Sequence, residues 1–240
     1  MAPTRLSLGS VSFVSVFGVS VKNSVKATIA FVALVILLLI GALIYLFVSQ
    51  NNAASVAESD EAPQVMRESS HVLDYGGSDA VTVVEFLDFE CEACGAFYPV
   101  VEELREKYDG DITYVVRYFP LAGHFNSKNA AIAAEAAAQQ DRFEDMYHRL
   151  FETQTQWGEA QESRADLFRS FAEELDLDMA AFDESVADPA TADRVELDLN
   201  EGERLGVNST PTFFIDGEPV TLEKWADLED SIESAVNGDQ

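Results

Sequence analysis

Val81-Thr-Val-Val-Glu-Phe-Leu-Asp-Phe-Glu-Cys91-Glu-Ala-Cys94-Gly-Ala-Phe-Tyr-Pro99 is the stretch on which the reading of the chain turns. Its first seven residues are β-branched and aromatic, with the length and type of a buried strand. The chain then turns into Cys91-Glu92-Ala93-Cys94, and Phe97, Val100, Val101 and Leu104 follow at helical spacing. A Cys-x-x-Cys between a strand and a helix is the sequence form of a dithiol redox site. The free N–H groups and positive dipole end of a helix start favour a thiolate on the first cysteine. The second cysteine lies one turn on, close enough to close a small disulfide ring. No other cysteine occurs in the 240 residues, so no structural disulfide competes with this pair.

These residues resemble the active site of the thioredoxin superfamily, in its DsbA-like branch with a helical insertion. Glu85 stands six residues before Cys91, where that family carries a buried acid on its central strand. Far downstream, Gly206-Val-Asn-Ser-Thr210-Pro211-Thr-Phe-Phe-Ile-Asp-Gly217 is similar to the family's cis-proline loop and the strand after it. The resemblance covers roughly Ser69 to Asn237. It implies an α/β thioredoxin-like fold, with a helical subdomain inserted over about 120–190, and a catalytic pair Cys91 and Cys94. It also implies a proton-relaying role for Glu85, substrate contact at Thr210 and Pro211, and no cofactor. A cis bond before Pro211 would leave the backbone of Thr210 open beside Cys91, where an extended substrate segment could pair with it.

The family's strong oxidants commonly carry Pro-His between the cysteines, and this chain departs from that with Glu92 and Ala93, the dipeptide expected to tune the redox poise. Glu90 and Glu92 should push the Cys91 pKa upward through like charge, which argues for a milder oxidant. The alternative for two cysteines at this spacing is half of a zinc site. The remaining ligands would have to be His71, His124 and His148, none of which stands at a zinc-motif spacing. No metal is expected, and His124 is the one histidine placed near a substrate groove.

Charge is distributed unevenly. No Asp or Glu precedes Glu58, so all 43 acids lie in 58–240, where 12 of the 15 basic residues leave a net charge of −31. Such a domain repels nucleic acid and anionic lipid, which excludes a nucleic-acid role. The acid is read as a solvated surface.

Residues 1–26 read as a poorly structured cytoplasmic tail, although the true start could lie further in. Ala27 to Val48 is 22 residues without a charge. At about 1.5 Å per residue it spans a hydrocarbon core of roughly 30 Å. Lys22 and Lys26 flank it on one side and acid accumulates on the other. The positive-inside rule therefore expects a single-pass protein of the cell membrane, its N-terminus cytoplasmic and its catalytic domain extracytoplasmic. A cleaved signal peptide, with Ser55-Val56-Ala57 as the cleavage site, is the competing reading. Both deliver the domain to an oxidising compartment. Residues 49–70 read as a flexible linker, on the order of 25 Å long as a random coil, and 71–240 as the DsbA-like domain.

Within that domain the pattern predicts strands at His71–Tyr75, Val81–Leu87 and Ile112–Phe119, with a helix to about Tyr108 bent at Pro99. Helical patterns follow over 129–140, around Phe143–Phe151, and over 163–175, 179–186 and 191–205, with Gly206 as a C-cap. A hairpin turning at Asp216-Gly217 and a helix from Leu222 to Val236 close the chain.

The function expected is a membrane-anchored protein disulfide oxidoreductase that forms disulfides in exported proteins with free thiols. A membrane thiol reoxidant, such as a quinone-linked partner, would recharge it. The alternatives are a reductase or isomerase, for example in cytochrome maturation, a chaperone module with an incidental dithiol, and a copper carrier. The last would need a Met or His ligand that the active-site stretch lacks.

Overall fold

The computed structural model describes residues 62–238, and Ala62–Gln240 forms one compact unit. The expected tail, membrane span and most of the linker lie outside the described residues. Among those described, no helix is long and apolar enough to cross a membrane.

The strand read first is the middle of the sheet. β1 is His71–Asp74, β2 Val81–Leu87, β3 Ile112–Tyr118, β4 Thr212–Ile215 and β5 Glu218–Pro219, in the spatial order β1-β3-β2-β4-β5. β2 pairs in parallel with β3, Val81 opposite Ile112 through Leu87 opposite Tyr118, and antiparallel with β4, Val83 opposite Ile215 through Phe86 opposite Thr212. Elements pack on both faces of the sheet, which is why the two parallel strands read as continuous apolar runs instead of alternating ones. Val83 and Leu87 join the larger core cluster, whereas Val84 and Phe86 join a second with Val115, Phe119, Val207 and Phe214. The Asp216-Gly217 turn has φ of 49° and 88°, both left-handed, as a tight hairpin turn requires.

α1, Glu92–Lys107, carries the sequence from the dithiol away from the sheet edge, and it is continuous through Pro99, whose missing N–H leaves the Gly95 carbonyl without its helical donor. The insertion is built from α2 (Ser127–Ala138), α3 (Phe143–Trp157), α4 (Ala165–Glu174) and α5 (Met179–Ala187). α2 is its hub. Ala130, Ala131, Ala133, Ala134, Ala136 and Ala137 are all buried, and their small side chains let neighbouring helices approach on several sides. α6, Pro189–Arg204, begins two residues earlier than the pattern predicts. Asp188 caps it by accepting from the Ala190 amide at 2.9 Å, and Pro189 fits the first helical position, where no N–H is needed. α7, Ala226–Val236, starts four residues later than expected. The Asp227 carboxylate accepts from the amides of Glu223 and Lys224 at 2.7 and 2.8 Å and holds them in a turn ahead of the helix.

The end of the expected linker is not free. Arg117, fully buried on β3, donates to the carbonyls of Gln64 and Val65, both at 3.0 Å. Arg67 reaches Glu201 on α6 at 2.5 Å, and the Gln64 amide donates to the same carboxylate at 3.1 Å. Residues 64–67 therefore belong to the domain. The sequence reading placed them in the linker because polar residues there form no periodic pattern, and their partners lie more than fifty residues away.

Candidate active site

The turn from β2 into α1 is shaped by Asp88. Its carbonyl accepts the Cys91 amide at 3.1 Å, and its Oδ1 accepts the Glu90 amide at 2.9 Å. The turn leaves Cys91 at the N-cap of α1, with φ −67° and ψ 123°, and no side chain caps the helix. The sulfur of Cys91 takes the place of a capping oxygen, facing the free amides of the first turn.

Both cysteines are reduced, and they differ in chemistry. Cys91 has its pKa lowered to about 6. The Cys94 thiol is the leading donor to its thiolate, followed, against an opposing burial effect, by the Thr210 side chain and the amides of Cys94 and Ala93. Cys94 is only 1% exposed, and burial pushes its thiol well above the usual range, helped by the negative charges of Glu85 and Cys91. The asymmetry is that of a nucleophile and a resolving partner.

The expectation that Glu90 and Glu92 raise the Cys91 pKa is corrected here, because the net direction is down. Glu92 is exposed and accepts from its own backbone amide and shares a hydrogen bond with Glu159. Glu90 turns inward, where its Oε2 accepts the Asn126 amide at 2.6 Å. Neither acid is among the leading influences on Cys91, and the donors prevail. Ala93 is exposed and contributes its amide.

Glu85 lies on the central strand, opposite Val116 of β3 and Phe213 of β4, and is 2% exposed. Tyr114 donates its hydroxyl to Glu85 Oε2 at 2.5 Å. Burial raises the Glu85 pKa to about 7, with the hydrogen bond opposing it and the charges of Glu102 and Cys91 adding to it. Glu85 is thus an acid poised near neutrality within electrostatic reach of both sulfurs.

The Thr210–Pro211 bond is cis. The Cys91 thiol donates to the Thr210 carbonyl at 3.5 Å, bringing together two segments 119 residues apart. The Thr210 hydroxyl, buried and without another partner in the thiol state, is a donor for the thiolate. Thr210 as a residue is buried, contrary to the open backbone expected there, whereas its neighbours Asn208 and Ser209 are exposed.

Of the histidines, His71 stacks on Phe143 with ring centroids 4.0 Å apart and binds Glu135 at 2.8 Å, and His148 bonds the Tyr98 hydroxyl at 2.8 Å. His124 alone comes to the site, its Nδ1 2.6 Å from Asp88 Oδ2. Among the described residues no group of three His, Cys, Asp or Glu is arranged to hold a metal.

Three residues of the site escaped the sequence reading. Asp88 could have been found as an Asx turn before a helix start. Tyr114 could have been found from the parallel register, which sets it opposite Val83 and diagonal to Glu85. Gln154 had no signal. It sits inside amphipathic α3, and its amide donates to the carbonyls of Phe89 and Cys91, each at 2.8 Å, so that the insertion clamps the start of α1. Gly95 makes room for it, since a Cβ there would lie 2.0 Å from Gln154 Oε1. Gly95→Ala is expected to cost about 1–3 kcal/mol by displacing that amide. Chemical denaturation checks this, and adding Gln154→Ala should cost less than the two single changes summed.

Comparison with known proteins agrees with the fold. A family model described as Thioredoxin matches residues 68–234. The crystal structure of alpha-DsbA1 from Wolbachia pipientis superposes with a TM-score of 0.62 at 20% identity, covering 72% of this chain and 94% of that one. A thioredoxin-like oxidoreductase from Silicibacter pomeroyi superposes with a TM-score of 0.60 at 26% identity, covering 74% and 98%. Among curated sequences, Na(+)/H(+) antiporter NhaA 3 of Salinispora tropica is 43% identical over 138 residues, 57% of this chain but 20% of that protein. The chain spans between a fifth and a third of the length of the curated relatives it matches.

Proposed function

Since the chain belongs to the thioredoxin family and carries a Cys-x-x-Cys pair at the start of its first helix, we propose that it is a protein thiol–disulfide oxidoreductase acting as an oxidant. The observation that carries this reading is the asymmetry of the two sulfurs, with Cys91 lowered to about 6 and Cys94 pushed well above its usual range.

In the oxidised protein a substrate thiolate attacks the Cys91 sulfur, and Cys94 leaves as a thiolate. Glu85, whose pKa near 7 keeps it partly protonated at neutrality, protonates Cys94. A second substrate thiolate then attacks the substrate sulfur of the mixed disulfide and expels Cys91, which the helix-start donors stabilise. Two substrate thiols become one disulfide, and two electrons stay on the cysteine pair. Substrate segments would lie along Asn208–Ser209 and over Trp225, which is 51% exposed and packs at a tilt against Phe97, one turn beyond Cys94, with ring centroids 4.3 Å apart.

The substrates of this reading are exported proteins with free thiols. Residues 27–48 would anchor the domain outside the cell membrane, and a membrane thiol oxidant, quinone-linked or similar, would restore the disulfide. The reductase alternative is disfavoured by the low Cys91 pKa, which stabilises the dithiol form. Mixing the oxidised domain, residues 58–240, with a reduced dithiol peptide tests the reaction. The peptide should emerge as a disulfide with the protein as a dithiol, and a peptide left reduced would sink the reading. For the anchor, the full chain should stay in the membrane fraction after a carbonate wash, whereas a native N-terminus at Glu58 would show cleavage instead.

Glu85→Gln separates the relay from the scaffold. The folded protein holds the Glu85 proton up to about pH 7, whereas the unfolded chain releases it near 4.5. Stability from this group is therefore complete below 4.5 and falls as pH rises through 7. Gln should raise stability by about 3 kcal/mol at pH 8 and change it little at pH 4, while slowing release of Cys94 near neutrality. Equal stabilisation at both pH values would show that Glu85 does not titrate as described.

A further inference from the structure

Three acids lie near the start of α1, Glu90 buried and Glu92 and Glu159 at the surface. Glu90 lies beside Cys91 in sequence, Glu92 opens α1, and Glu159 comes from the loop after α3 to share a hydrogen bond with Glu92. A thiolate on Cys91 would form among negative charges, yet it is favoured. The Cys94 thiol leads in favouring it, followed by the Thr210 hydroxyl and the amides of Cys94 and Ala93.

Among the described residues, His124 lies within electrostatic reach of these groups. His124 stands in the loop between β3 and α2, with its side chain 22% exposed. Its Nδ1 is 2.6 Å from Asp88 Oδ2, and Asp88, whose side chain is fully buried, is itself held from several sides. Asp88 Oδ2 also accepts the Leu121 amide at 3.0 Å, and Oδ1 accepts the Glu90 amide at 2.9 Å. One carboxylate therefore ties the turn that presents Cys91 to the loop that presents His124. With Nδ1 committed to Asp88, the ring is fixed and its Nε2 is the nitrogen left for other contacts. The charges it meets come from every packed element: Asp88 and Glu90 in the turn, Cys91 at the helix cap, Glu92 on α1 and Glu159 after α3.

We propose that His124, fixed by Asp88 to the turn that presents Cys91, is a positioning cation of the active site that favours the Cys91 thiolate. Burial works against the imidazolium, but the Asp88 hydrogen bond and the negative charges of Asp88, Cys91 and Glu90 prevail, so its pKa is raised. The charge is then present where Cys91 itself titrates. His124 ranks below the direct donors, since it is not among the leading influences on Cys91. It acts on the same sulfur that leaves in the second exchange step. Its consequence for exchange rests on the proposed oxidoreductase reading, whereas its effect on the thiolate does not.

The test is the thiolate absorbance of the reduced full chain near 240 nm, followed against pH, with Cys91→Ser identifying the signal. His124→Gln keeps a polar side chain and removes the charge, while His124→Lys keeps a charge and removes the ring. The Gln variant should move the Cys91 midpoint upward by about half a pH unit, a roughly threefold loss of thiolate at pH 5.5. The Lys variant should restore most of it. A Gln midpoint equal to the wild-type value overturns the proposal. Equal shifts in Gln and Lys also overturn it, because they would show that His124 only holds the loop. Absence of disulfide transfer by the wild-type protein would count against the enzyme reading and leave this titration standing.

Discussion

The Cys91→Ser protein is expected to transfer no disulfide, and the Cys94→Ser protein to accumulate as mixed disulfides when mixed with disulfide-bearing substrates. These opposite phenotypes follow from the two environments. With a pKa of about 6, Cys91 is about 90% thiolate at pH 7. Cys94, at 1% exposure and with its thiol pushed up by burial, supplies almost none and cannot be reached by a macromolecule. Without Cys91 no nucleophile remains among the cysteines. Without Cys94 the Cys91 thiolate can still attack a substrate disulfide, releasing one substrate sulfur as thiolate, and the mixed disulfide so formed lacks the internal thiol that would displace it. Alkylation of the reduced protein at pH 6, read by peptide mass, should label Cys91 alone. Labelling of Cys94 first would reverse the roles and remove the basis of the mechanism.

Arg117→Met is expected to destabilise the domain more than Gly95→Ala does. The Arg117 guanidinium donates to Asp198 at 2.6 Å and to Glu201 at 2.7 Å, and both carboxylates are almost fully buried. Removing the arginine leaves two charges in the interior and frees the carbonyls of Gln64 and Val65. Arg67 and Arg194 still touch the pair and soften the loss. The cost should be about 3–5 kcal/mol, a fall in Tm of about 10 °C for a domain of this size. Neutralising the carboxylates as well, through Asp198→Asn and Glu201→Gln, should recover part of it. A single variant within 1 kcal/mol of wild type would mean that the network contributes little to holding residues 64–67 on the domain.

What could be read before the fold was known follows from the range of the interactions. β2 was legible to the residue because it is buried on both faces and written as an unbroken apolar run. The dithiol was read from a Cys-x-x-Cys between a strand and a helix, whereas Glu85 and the Thr210–Pro211 loop were singled out through family resemblance, since spacing alone would not have joined Cys91 to a loop 119 residues away. The sign of the Cys91 shift was misread because Glu90 and Glu92 were counted by sequence distance. One turns inward to Asn126 and the other outward to Glu159. Helix starts were misplaced at Asp188 and Asp227, where a carboxylate captures local amides that periodicity does not register. Gln154 and Arg117 left no trace in the local pattern, since each acts entirely through partners in other elements.

The central claim is that Cys91 and Cys94 form a redox couple more oxidising than a reductant's. Its most direct test is the reduction potential of residues 58–240, equilibrated against glutathione. Dithiol proteins whose nucleophile has a pKa of about 7 lie near about −270 mV, and those near about 3.5 lie near about −120 mV. Each pKa unit corresponds to about 30 mV. A Cys91 pKa of about 6 therefore places this couple between roughly −240 and −195 mV. Structural disulfides of exported proteins lie below about −300 mV, so transfer to their thiols would still be downhill. A potential in that interval supports the account. A value at or below about −270 mV would identify a reductant and contradict it.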